Sequence, residues 1–166
     1  MVHTMLTTPA REWHTTTWLN TPEPLSLERL RGRVVMLHAF QMLCPGCVSR
    51  ALPQAQRVAK LFEGAPLTVV GLHTVFEHHE AMGLPSLKAF VHEYGIRFPV
   101  GVDAPGLHGD RIPRTMAAYG MQGTPTTVLI DANGQLRSQV FGVHDDLVLG
   151  AELGRLLVEA EQGPPR

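Results

Sequence analysis

The sequence predicts an α/β fold in which a mixed central β-sheet is flanked by helices. Two runs, RVVMLHAF (33–40) and APLTVVGLHT (65–74), are apolar at nearly every position, as strands buried on both faces are. Helical spacing between the early strand-like runs allows parallel crossovers. Late in the chain the turn signal Ala132-Asn133-Gly134 joins two further strand-like runs, which adds an antiparallel hairpin.

The elements follow in order. Residues 1–20 are rich in threonine and read as an irregular N-terminal arm, with Trp13 and Trp18 expected to pack. Residues 21–163 then form one domain. LSLERLRG (25–32) is a turn or loop leading into the first strand. Residues 48–62 place Leu52, Ala55, Val58, Ala59 and Phe62 near helical spacing, and Gly64 ends that helix. The second strand, 65–74, leads to a histidine-rich loop (75–85) and a helix over 86–95, with Ser86 as its cap and Gly95 as its stop. RFPVGVD (97–103) is a third strand, 104–113 a loop and 114–120 a short helix. The hairpin strands are 126–131 and 135–142. An acidic start opens the last helix, 145–163, where Gly150 and Gly154 each cost about 1 kcal/mol relative to alanine.

Composition narrows the function. The 166 residues are 44 % apolar and 17 % charged, which suits a globular core. Fourteen basic and fifteen acidic residues with no basic run give no nucleic-acid footprint. No apolar run approaches ~18 residues, so no membrane-spanning helix is expected. The N-terminus lacks a basic start followed by an apolar stretch. That predicts a cytoplasmic location, or a periplasmic one if a leader has been removed.

Both cysteines of the chain, Cys44 and Cys47, lie in the stretch MLCPGCVSRALP, after a buried strand and at the start of a helix. A sulfur there meets unsatisfied N–H groups and the positive end of the helix dipole, both of which favour thiolate. Pro45 suits the first helical position and Gly46 leaves the approach to the sulfur open. Cys47, one turn further in, is shielded and placed to attack a mixed disulfide on Cys44. Half a zinc site is the other reading of such a pair. It would need two more ligands, and no second cysteine pair exists. No metal and no cofactor is therefore expected.

CPGC after VVMLHAF, followed some distance on by GTPTTVLIDANGQL (123–136), resembles the thioredoxin-like superfamily over roughly residues 18–158. The pattern is similar to its thiol-disulfide reductase (TlpA/ResA-like) and peroxiredoxin-related branch. An extra αβ unit, about 74–103, matches that branch's insertion. The resemblance implies a thiol-disulfide oxidoreductase acting on protein disulfides, with reduction favoured over oxidation, and a separate thiol electron donor or acceptor. It implies a role in redox homeostasis and antioxidant activity. It also implies a cis peptide bond before Pro125, with Thr124 presenting its backbone to an extended substrate beside Pro45 and Gly46.

The sequence departs from the pattern at informative positions. Leu43 stands where an aromatic residue usually precedes the first cysteine, and Pro45-Gly46 reverses the thioredoxin order. Arg50 stands where the reductase branch can carry glutamate, and Pro53 falls one residue late. His38 occupies the position of a buried acid or asparagine. It is either a core histidine held by one hydrogen bond or a proton acceptor for Cys47. Gln41 stands where a peroxiredoxin places threonine or serine, which sets thiol peroxidase behind disulfide exchange. His73, Glu77, His78, His79 and Glu80 lie on the same sheet edge as Cys44. They form a solvated loop, or line the active-site mouth or a metal site.

Overall fold

The computed structural model describes residues 7–163. The first six residues of the expected arm lie outside that range. The run VVMLHAF forms strand β3 (Val34–Phe40), and all seven of its residues are buried. They are buried because β3 is paired on both sides, parallel to β4 (Leu67–His73) and antiparallel to β6 (Thr126–Ile130). β5 (Val100–Asp103) runs parallel to β4 beyond it. β7 (Gln135–Phe141) completes the hairpin with β6. Asp131 organises the connecting turn, since its Oδ1 accepts from the N–H groups of Asn133 and Gln135.

The expected irregular arm is corrected by the structure. It supplies two edge strands, β1 (Thr8–Pro9) against β7 and β2 (Thr15–Leu19) against β5. Without them β5 and β7 would present unpaired backbone groups at the sheet edges, and β-branched threonines suit strand geometry. The resulting seven-stranded order among the described residues is β1-β7-β6-β3-β4-β5-β2. Trp13 and Trp18, with ring centroids 6.1 Å apart, pack against the core.

Alternation along β3 divides the core in two. Val34, Met36 and Phe40 face α1 (Leu52–Leu61), α2 (Leu84–Glu93) and α4 (Asp146–Gln162), meeting Leu52, Leu87 and Leu153 there. Val35, Leu37 and Ala39 face α3 (Arg114–Ala118) and the turn carrying Leu27 and Leu30. Helix α2 corrects a second expectation. Its N-cap is Gly83 and not Ser86, with Pro85 in the first turn, where a missing N–H costs nothing. Gly95 stops it with a φ of 62°, a conformation that favours glycine. α4 runs unbroken through Gly150 and Gly154, started by the Asp145 carboxylate, which accepts from Leu147 and Val148 N–H.

Asp103 joins the layers at the end of β5. Its buried carboxylate accepts from the Thr74 hydroxyl at 2.9 Å and from the Thr115 and Met116 N–H groups at 2.8 and 3.0 Å. Removing it strands three buried donors. Asp103→Ala is therefore expected to cost about 3 kcal/mol, and Asp103→Asn less, in urea unfolding at neutral pH.

Candidate active site

The site hangs from the carboxyl end of β3. After Phe40 the chain turns through Gln41–Leu43, and the Cys44 N–H donates to the Gln41 carbonyl at 3.2 Å. The Val48 N–H donates to the Cys44 carbonyl at 3.1 Å, which makes Pro45 the first residue of the helical turn. Cys44 and Cys47 are joined as a disulfide, their Cα atoms 5.2 Å apart. The Cys47 N–H points at Cys44 Sγ at 3.2 Å, a contact that favours negative charge on that sulfur when the bond is open. Cys47 is fully buried, while Cys44 is partly exposed.

Across from the sulfurs lies the loop before β6. The Thr124–Pro125 bond is cis, and Cys44 Sγ lies 3.5 Å from the Thr124 carbonyl oxygen. Two hydrogen bonds fix this loop: Thr126 Oγ1 to the Gly123 carbonyl at 2.7 Å, and Gly142 N–H to the Pro125 carbonyl at 2.8 Å. A Cβ placed on Gly46 would sit 3.6 Å from Pro125 Cδ, so the motif and the loop touch at that point. Cys44, Cys47, Gly46, Thr124 and Pro125 thus form one constellation, with Pro45 exposed at its rim.

The helix after the cysteines is not α throughout. Cys47–Ala51 forms a π turn before α1 begins at Leu52. A π turn takes in one more residue than an α turn. That accommodates Pro53 one position later than the family spacing, without a proline clash in the helix interior.

His38 shares its strand face with Met36 and Phe40, the face against which Cys47 is buried. Its ring stacks on Phe40 at 6.0 Å, and neither ring nitrogen has a hydrogen-bond partner. The expected single hydrogen bond of a core histidine is therefore missing. Burial pushes its pKa down to about 4. His73, at the end of β4, separates from the loop it was grouped with. It is buried, 5.2 Å from the Phe40 ring, with Nε2 unpartnered and its pKa likewise lowered by burial to about 4. Glu77, His78, His79 and Glu80 are exposed. Among the described residues no three His, Cys, Asp or Glu side chains are grouped to hold a metal.

Two participants were not legible in the sequence. The buried side chain of Gln41 reaches across to the loop after β4, its Oε1 accepting from Phe76 and Glu77 N–H at 3.1 and 3.3 Å. Residue spacing gives no hint of that pairing; the sequence marks position 41 only by the absence of threonine or serine there. Phe141, 54 % exposed, lies over Gly123, where a Cβ would come within 3.0 Å of its ring. With Leu43, 58 % exposed, it adds apolar surface around the constellation.

Two sulfurs that share one bond, one shielded and one open at the end of a central strand, undergo exchange with other disulfides. On this sheet they define a thiol-disulfide oxidoreductase unit of the thioredoxin-like class. Residues 10–139 match the AhpC/TSA family, and the chain belongs to it. It is 31 % identical over 156 residues to the protein DipZ of Mycobacterium tuberculosis (strain CDC 1551 / Oshkosh), covering 89 % of this chain and 20 % of DipZ. It is 27 % identical over 116 residues to the thiol-disulfide oxidoreductase ResA of Halalkalibacterium halodurans, covering 69 % of this chain and 57 % of ResA. The chain thus spans a fifth to three fifths of these relatives' lengths. A crystallised thioredoxin-like superfamily protein superposes with a TM-score of 0.88 at 54 % identity, over 91 % of this chain and 97 % of the other. A thiol-disulfide isomerase from Corynebacterium glutamicum does so with a TM-score of 0.86 at 49 % identity, over the same shares.

The two buried histidines make stability depend on pH. Unfolded, each binds a proton below about 6.5, but folded only below about 4. Between those values the unfolded state holds more protons. Stability is therefore full above pH 6.5 and falls as pH drops toward 4, by up to about 1.4 kcal/mol per pH unit for each histidine. Urea unfolding at pH 7, 6 and 5 is expected to show this slope, and His38→Asn to remove about half of it.

Proposed function

We propose that the protein reduces disulfides in protein substrates, with Cys44 attacking and Cys47 resolving. The observation that carries this reading is the asymmetry of the pair: Cys44 partly exposed beside Thr124, Cys47 fully buried. The Cys44 thiolate attacks one sulfur of a substrate disulfide, which forms a mixed disulfide and releases one substrate thiol. The Cys47 thiolate then attacks Cys44 Sγ, closing the internal disulfide and releasing the second substrate thiol. A separate thiol donor returns two electrons and two protons to the pair. The relatives described as thiol-disulfide oxidoreductase and isomerase support the reading.

In this reading Thr124, Pro125, Pro45 and Gly46 bind the substrate. The Thr124 backbone pairs with an extended strand, and Leu43 and Phe141 take apolar side chains next to the substrate cysteine. His38 accepts the Cys47 proton, since it is neutral at pH 7 and both ring nitrogens are unpartnered. The reductase direction belongs with the cytoplasmic setting, where thiols are kept reduced. An equilibrium potential near about −270 mV for the pair fits that direction, and one near about −120 mV reverses it.

Cys47→Ser, reduced beforehand, is expected to accumulate a covalent mixed disulfide with disulfide-containing protein substrates such as insulin, and Cys44→Ser not to. The opposite pattern on non-reducing gels exchanges the two roles. His38→Asn, which keeps a buried polar side chain, is expected to slow release of the mixed disulfide by about 10²-fold and leave its formation unchanged. Release at the wild-type rate from pH 6 to 9 removes His38 from the mechanism.

Antioxidant action through such exchange needs no direct attack on peroxide. The Gln41 side-chain oxygen is committed to the loop at Phe76 and Glu77, which supports placing peroxidase second. Insulin disulfide reduction is expected to outpace turnover of hydrogen peroxide by the same preparation. Fast peroxide turnover with slow insulin reduction promotes the peroxidase reading instead.

A further inference from the structure

Gln41 is the first residue beyond β3, and it is 3 % exposed. An apolar side chain of that size would fill the same space, whereas a carboxamide is buried without penalty only where its polar atoms find partners. Its Oε1 finds two, the Phe76 and Glu77 N–H groups at 3.1 and 3.3 Å. That loop is held to the same strand end at a second point, where the Thr74 N–H donates to the Phe40 carbonyl at 3.1 Å. The backbone carbonyl of Gln41 meanwhile accepts from the Cys44 N–H at 3.2 Å. One residue thus ties the loop after β4 to the backbone of Cys44.

Cys44 stands at the N-cap of the helical turn that begins at Pro45. The backbone angles of an N-cap residue decide whether its side chain reaches the N–H groups of the first turn. Here Sγ meets the Cys47 N–H at 3.2 Å, as a serine or aspartate cap meets the third helical residue. The bond from the Cys44 N–H to the Gln41 carbonyl closes the turn that sets those angles. We propose that Gln41 is a positioning residue for Cys44: its side-chain brace to Phe76 and Glu77 fixes the turn over residues 41–44, and that turn holds Sγ on the Cys47 N–H. The proposal rests on Cys44 being the attacking sulfur, and it names a residue on which that sulfur's reactivity depends. A hydrogen bond to the thiolate favours the thiolate, so a slack turn leaves less of it at neutral pH.

Gln41→Met keeps the side-chain length and removes the acceptor oxygen. The full chain, reduced, is alkylated with iodoacetamide from about pH 5 to about pH 10, and mass spectrometry reads the label at Cys44. The midpoint is expected to rise by about one pH unit in the variant, a ten-fold loss of thiolate at neutral pH. Mixed-disulfide formation with insulin is expected to slow by about three-fold at neutral pH, since a thiolate of higher pKa is the stronger nucleophile and offsets part of the loss. Release is expected to stay unchanged, because there the substrate sulfur is the leaving group. A side chain that only supported the loop would lower the urea midpoint and leave the alkylation midpoint in place, and that result overturns the proposal. Should Gln41→Met misfold, amide hydrogen exchange in the reduced wild-type chain carries the test. The Cys44, Phe76 and Glu77 amides are expected to open as one unit, with protection equal to within about three-fold. A Cys44 amide that opens independently of the other two overturns the proposal. Alkylation and exchange use no disulfide substrate, so failure here leaves the order of attack, which trapping tests, standing.

Discussion

Pairing of β3 on both edges is the constraint from which the site follows. A strand held by β4 on one side and β6 on the other cannot slip without moving every side chain on it to the opposite face. The residue that leaves its carboxyl end is therefore fixed in height and direction, and Cys44 is three residues beyond Gln41. Gln41 adds a second tether, since its carbonyl holds the Cys44 N–H while its side chain holds the loop at Phe76 and Glu77. The sulfur is positioned by rigid backbone more than by its own contacts, as a site needing ångström-level placement requires.

The same pairing explains why the two sulfurs differ. Cys47 follows Cys44 by one turn and sinks into the core cluster with Leu52 and Met36, while Cys44 stays at the rim facing Thr124. The cost of burying a thiolate falls on Cys47 alone. Stacking of His38 on Phe40 places a neutral polar ring, not a fixed charge, on the face where that cost is incurred. A carboxylate at the same depth would need partners that the apolar surroundings do not supply.

Much of this was written plainly in the sequence. Apolar runs located β3 and β4, helical spacing located α1, and the Asn133-Gly134 turn located the hairpin, because burial imposes those periods directly. The pair at 44 and 47 and the Thr124-Pro125 step were legible as motifs. What escaped was decided by long-range partners. Residues 8–9 and 15–19 carry no strong alternation; they become strands because β7 and β5 offer them unpaired edges. Ser86 had the chemistry of a cap, but Pro85 fits the first turn and moves the helix start back to Gly83. His73 reads both as the end of a buried strand and with the polar residues that follow it, and the burial of β4 to its last residue keeps it with the strand. The Gln41 brace joins residues more than thirty apart, and no local pattern encodes it.

The π turn at Cys47–Ala51 has a geometric consequence of its own. One extra residue in a helix rotates everything after it by about 100° relative to everything before it. The segment thus acts as a phase shifter between two halves of one rod: the half that aims the sulfurs and the half that presents Leu52, Ala55 and Val58 to the sheet. The offset turns Leu52, Ala55 and Val58 to a direction relative to the sulfurs that an unbroken α-helix would not give them.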